Sequence, residues 1–201
     1  MFLQVIQGKV ADRERFAASL EKWAKELGPH AGGWLGTTSG TYGEDSFIAL
    51  VRFESAEAAK RNSERPEQGR WWSEFASSLE GEATFDDFDD VVLLGPGGSD
   101  EAGFVQVMRG RVADVQRERA MAREMSQMPN DFRPDILGGV EGLRDDGTFV
   151  MAMYFTSEAE AREGEKKPVP AEMQAMMEEG QANTIEMTFI DLAKPVFHAP
   201  S

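Results

Sequence analysis

Four tryptophans, Trp23, Trp34, Trp71 and Trp72, all fall in the first 72 residues of a 201-residue chain. Near them in sequence stand Tyr42, Asn62, Arg70, Phe75 and the histidine His30. Aromatic walls suit a dry pocket, to which Asn62, Arg70, Tyr42 and His30 could supply the polar contacts. A purely structural role competes with this reading. Trp23 and one of Trp71 and Trp72 fall on apolar helical stripes and would serve as ordinary core. Adjacent helical residues cannot share a direction, so the other member of the Trp71–Trp72 pair must flank the core or line a pocket.

Other chemistries have less to work with. The chain has no cysteine, which removes disulfides, thiolate nucleophiles and thiolate-bound metal. That suits a reducing cytoplasm. The two histidines are His30, in the Gly-Pro loop after the first helix, and His198, in the C-terminal tail. The run Asp86-Asp87-Phe88-Asp89-Asp90 has no EF-hand spacing, and alternate carboxylates on a strand diverge, so it reads as a solvated edge and no metal site is assigned. No glycine-rich loop cradles a phosphate, so no nucleotide cofactor is indicated. A net charge of −15 repels nucleic acid and anionic membrane surfaces, and no apolar run reaches the ~20 residues of a membrane helix. Ten of the eleven methionines follow residue 103, so any pocket in the second half is soft and adaptable.

The elements that must position these residues come in two copies. An offset of 102 residues superposes Phe2, Gln4, Val5, Gly8, Val10, Ala11 and Asp12 on Phe104, Gln106, Val107, Gly110, Val112, Ala113 and Asp114. The same register carries Gly36 onto Gly138, Phe47 onto Phe149, Phe53 onto Phe155 and Pro66 onto Pro168. Residues 1–95 are read as the first unit, 96–102 as a turn-rich linker, 103–195 as the second unit and 196–201 as a tail. In the first copy Phe2 to Gly8 reads as a strand, and Asp12 caps a helix whose stripe is Phe16, Leu20, Trp23, Ala24 and Leu27. Trp34–Tyr42 and Ser46–Phe53 read as a hairpin, a helix broken at Pro66 follows, and Thr84–Leu94 reads as a fourth strand. This is the β-α-β-β-α-β order of a ferredoxin-like unit. In the third strand Phe47, Ala49, Val51 and Phe53 share one face while Ile48 and Leu50 lie on the other, so both faces require cover. The expected fold class is α+β, with the two units paired through their sheets into a pseudo-dimeric α/β barrel. Such an internal pair is also a candidate for further homo-oligomerisation.

The repeated unit and its broken, tryptophan-rich second helix resemble the dimeric α/β-barrel superfamily, including the antibiotic-biosynthesis monooxygenase (ABM) family, as a single-chain version of the usual homodimer. The resemblance implies a pocket between the helices and one sheet face. It also implies a choice among cofactor-free oxygenation of polycyclic phenols, haem chemistry, or no activity at all. Relatives place asparagine and tryptophan near the second helix, which points to Asn62 and Trp71. Haem branches need an axial ligand, usually a helical histidine, and neither histidine lies on a predicted helix. The expectation is therefore an ABM-like protein that binds a hydrophobic, aromatic small molecule, with cofactor-independent oxygenation as its first candidate reaction. A non-catalytic pseudo-dimeric binding module is the alternative, and a haem binder the weaker one.

Overall fold

The computed structural model describes residues 1–128 and 132–200, apart from the side chain of Glu172. It contains two compact units, residues 1–89 with 196–201 and residues 90–195.

The first unit runs β1 (Phe2–Val10), α1 (Arg13–Lys22), β2 (Trp34–Tyr42), β3 (Ser46–Phe53), α2 (Ala56–Ser63), α3 (Pro66–Ala76) and β4 (Leu79–Phe88). The second repeats the order as β6 (Phe104–Val112), α4 (Val115–Gln127), β7 (Ile136–Leu143), β8 (Thr148–Phe155), α5 (Glu158–Gly164), α6 (Ala171–Asn183) and β9 (Thr184–Leu192). Both are ferredoxin-like. Each antiparallel sheet carries a fifth strand, giving the orders β10-β2-β3-β1-β4 and β5-β7-β8-β6-β9, in which β5 is Asp90–Leu94 and β10 is Val196–His198.

Those fifth strands correct three expectations. The stretch 84–94 is not one strand: β4 ends at Phe88, and after Asp89 the chain enters the other sheet as β5, beside β7. The boundary therefore falls between Asp89 and Asp90 rather than at 95, and residues 96–102 belong to the second unit. Residues 196–198 are an edge strand of the first sheet, paired with Ser39, Thr38 and Thr37 of β2, rather than a tail. A tripeptide with no turn signal of its own acquires strand structure only from the ladder it joins.

Local chemistry sets the remaining ends. Asp12 and Asp114 cap α1 and α4 through their carboxylates, each accepting the amide of the residue three positions on at 3.0 Å. Ser55 caps α2, and Pro66, which lacks an amide hydrogen, opens α3. Beyond Lys22 the first helix widens into a π-turn over Trp23–Leu27, which buries both end residues, before a tight turn at Gly28–His30. The core of the first unit joins Phe16, Trp23, Leu27, Trp71 and Phe75 from the helices to Phe2, Phe47 and Phe53 from the sheet. Ile48 and Leu50, on the opposite face of β3, are buried as well, as the two-sided apolar pattern requires.

Candidate functional site

Between the helices and the sheet of the first unit lies an inner chamber of about 80 Å³. It opens toward an outer cleft of about 670 Å³, with which it shares Gln4, Ile6, Phe53, Asn62, Gln68, Trp71 and Trp72. Its walls are aromatic and aliphatic. Trp71 stacks on Phe75 with ring centroids 5.0 Å apart and an interplanar angle of 19°. Trp72, half-buried, meets Trp71 on one side and Phe85 of β4 on the other. On α3, Gln68, Trp71, Trp72 and Phe75 recur at i, i+3, i+4 and i+7, so one helix face supplies most of one wall.

Two carboxamides in this wall have fixed orientations. Gln68 accepts the indole hydrogen of Trp23 on Oε1 at 2.7 Å. Asn62, in the last turn of α2, accepts from Arg65 Nη1 on Oδ1 at 3.1 Å, and the same guanidinium nitrogen also donates to the Leu27 carbonyl. With each oxygen committed, the amide nitrogens keep their hydrogens available as donors toward a ligand. Around the rest of the chamber, Thr37 accepts from the indole of Trp34 at 3.0 Å, and Gln4 donates to Asp87 at 2.8 Å. Trp71 spends its own indole hydrogen on the Ser19 carbonyl at 2.8 Å, so it offers a ligand its ring faces only.

The residues singled out from sequence are distributed unevenly over this geometry. Asn62, Trp23, Trp71, Trp72 and Phe75 converge on the chamber. Trp34 is buried elsewhere, edge-on to Trp23 at 4.8 Å and close over Gly28, and serves as core. Tyr42 sits near the hairpin end, where its hydroxyl accepts from Gln7 at 3.2 Å, away from the chamber. Arg70 also lies elsewhere: it is exposed, pairs with Glu67 at 3.6 Å, and borders a shallow surface hollow with His30. One residue along a helix turns the side chain by about 100°, so burying Trp71 carries Arg70 off the chamber face.

Sequence reasoning missed Gln68 and His198. Gln68 carried a usable signal, since it precedes Trp71 and Trp72 on the same helical stripe. His198 carried none. It reaches the chamber because β10 pairs with β2, setting His198 opposite Thr37. Burial holds its imidazole below the ordinary histidine range, against a smaller opposing influence from Glu21. Among the described residues no cluster of three or more histidine, aspartate or glutamate side chains could hold a metal ion. No described helix is long and apolar enough to cross a membrane.

No protein-family model matches the chain, and no curated protein matches it by sequence. Solved structures do. The chain is similar to a candidate monooxygenase from Lactobacillus acidophilus NCFM at TM-score 0.72 and 15% identity, over 98% of this chain and 96% of that one. An anthrone oxidase-like protein aligns at TM-score 0.63 and 11% identity, over 98% and 93% of the two chains. A ferredoxin-fold protein related to antibiotic biosynthesis monooxygenases, from Listeria monocytogenes, aligns at TM-score 0.50 and 11% identity, over 100% and 95%. At such identities the likeness is one of fold. That fold is a tandem pair of ferredoxin-like units.

Proposed function

We propose that the first unit binds a small aromatic molecule carrying an acidic phenol or enol, and oxygenates it with dioxygen without a bound cofactor. The observation that carries this reading is the pair of amide groups, on Asn62 and Gln68, whose nitrogens are left free to donate inside an aromatic chamber. Two such donors stabilise an oxyanion far better in a site sheltered from water than in bulk solvent. An electron-rich phenolate or enolate can itself reduce dioxygen, so the protein need only bind, ionise and shelter it. The chamber is small, at about 80 Å³, so a polycyclic substrate would insert its reacting ring there and leave the remainder in the cleft of about 670 Å³. The structural likeness to an anthrone oxidase-like protein supports beginning with anthrones and polycyclic phenols.

Titration of the tryptophan fluorescence with a panel of such compounds, followed by oxygen-electrode measurements, tests the reading. Saturable quenching is expected, with oxygen uptake for at least one quencher. Replacing Asn62 or Gln68 by leucine removes a hydrogen bond to a charged group and should weaken binding of the anion about tenfold to a hundredfold. If no compound in the panel quenches, the chamber is filled core and the protein is a non-catalytic module.

A further inference from the structure

We infer that His198, delivered by the C-terminal strand β10, is the catalytic base that takes the proton from the ligand's acidic hydroxyl, so that the site of the first unit is complete only when the far end of the chain joins its sheet. The inference rests on the reading of the chamber as a phenol or enol site, and goes beyond it by assigning the proton acceptor.

Several observations converge on this histidine. Among the described residues that line the inner chamber, His198 is the one whose side chain can exchange a proton near neutrality; Asp87 and Asp89 border only the outer cleft. Its ring nitrogens have no hydrogen-bond or ion-pair partner among the described residues, so the lone pair is not spent on the protein. The strand that carries it is held at a defined place. Gly36 of β2 adopts φ +135°, and a Cβ there would stand 3.2 Å from the His198 carbonyl oxygen and 2.8 Å from Arg52 Nη2, so the missing side chain is what lets β10 approach.

Charge around the ring suits a base. Burial favours the neutral imidazole, and Glu21 on α1 opposes that shift in part. Arg52, on the neighbouring β3, lies close to the strand backbone at Gly36. At neutral pH the imidazole is therefore unprotonated and able to accept. In the step assigned to it, the ligand's O–H bond breaks and an N–H bond forms on the imidazole. The electron pair stays on the ligand oxygen, where the amide hydrogens of Asn62 and Gln68 receive it. One imidazolium and one oxyanion result, with no net change in charge.

The test uses the full chain and 4-nitrophenol, whose anion absorbs visible light, at about pH 6, where the free phenol is mostly protonated. Tryptophan quenching reports occupancy and the visible band reports ionisation, so the two are read separately. The wild type is expected to bind the phenol and ionise it. In His198→Gln, quenching should persist while the bound anion fraction falls at least about tenfold. Nitrogen NMR provides an independent reading in the unmodified chain, which has only two histidines: binding should convert the His198 ring to imidazolium and leave His30 unchanged. Quenching without ionisation in the wild type, or equal ionisation in the variant, overturns the assignment of His198 and leaves the binding site standing. Absence of quenching in both proteins overturns the site and the assignment together.

Discussion

Where the first unit sets Ser39 on its chamber wall, the second has Glu141 at the corresponding position of β7, 2% exposed and with both carboxylate oxygens lacking a hydrogen-bond partner among the described residues. The register extends the contrast. Leu94 sits opposite Gly139, the repeat counterpart of Thr37, and so holds in the second sheet the place His198 holds in the first. Asn62 is matched by Gly164, over which the guanidinium of Arg133 lies, itself bonded to Asp135 at 2.6 Å. Trp23 and Trp71 are matched by Met125 and Met173, which border a separate apolar pocket of about 210 Å³. The second unit thus has glycine at the place of Asn62, Pro170 at that of Gln68 and leucine at that of His198, while Gln4 is retained as Gln106. One backbone plan supports a rigid aromatic chamber in one copy and a soft, methionine-rich interior in the other, because the fold constrains which positions face inward and leaves their chemistry open.

Core truncation should separate the two interiors most strongly. Trp71→Ala removes a buried ring and its bond to Ser19, and should lower the unfolding free energy by about 3–5 kcal/mol. Met173→Ala, at the matching place on a half-buried, adaptable side chain, should cost about 1 kcal/mol. Equal losses in urea unfolding would break the contrast between rigid and soft.

The pH dependence of stability sharpens it next. Burial, with the fields of Glu118 and Asp90 added, pushes the Glu141 carboxyl up to about 8, from an ordinary value of 4.5. The folded chain therefore keeps a proton that the unfolded chain releases at lower pH. This group's contribution is fully present below the unfolded value, declines as pH rises, and is lost once pH passes the folded value. The size should be on the order of several kcal/mol. Urea midpoints should fall between about pH 5 and about pH 9 in the wild type. Glu141→Gln should remove most of that fall, and a variant that keeps it in full would deny Glu141 the role. The smallest effect belongs to Arg70→Ala. With only an exposed partner at i−3, it should change stability by less than about 0.5 kcal/mol and leave quenching by phenols unaltered. A clear loss of ligand affinity would return Arg70 to the site.

Much of this is legible in the amino-acid sequence alone. The 102-residue offset, the alternation of Phe47, Ala49, Val51 and Phe53 against Ile48 and Leu50, and the capping residue Asp12 are local or periodic signals, and the hairpin Trp34–Tyr42 and Ser46–Phe53 appears in the structure at those same bounds. Within the candidate site, Trp71 and Phe75 are readable from their shared helical stripe, Trp72 as the neighbour that must turn off it, and Asn62 only from its nearness in sequence and the family resemblance. Arg70 was misplaced because nearness in sequence is not nearness around a helix.

By itself the sequence determined the duplication, the β-α-β-β-α-β order, the double-sided burial of the middle strands and the aromatic character of the first copy, since periodicity and capping are properties of short stretches of chain. The tertiary structure alone decided that Asp90–Leu94 and Val196–His198 become edge strands of sheets built mainly from the other repeat, and hence that a histidine near residue 200 faces tryptophans near residue 70. Pairing across such separations depends on which sheet edge is open to accept a strand, a property of the assembled ladder that no window of residues encodes.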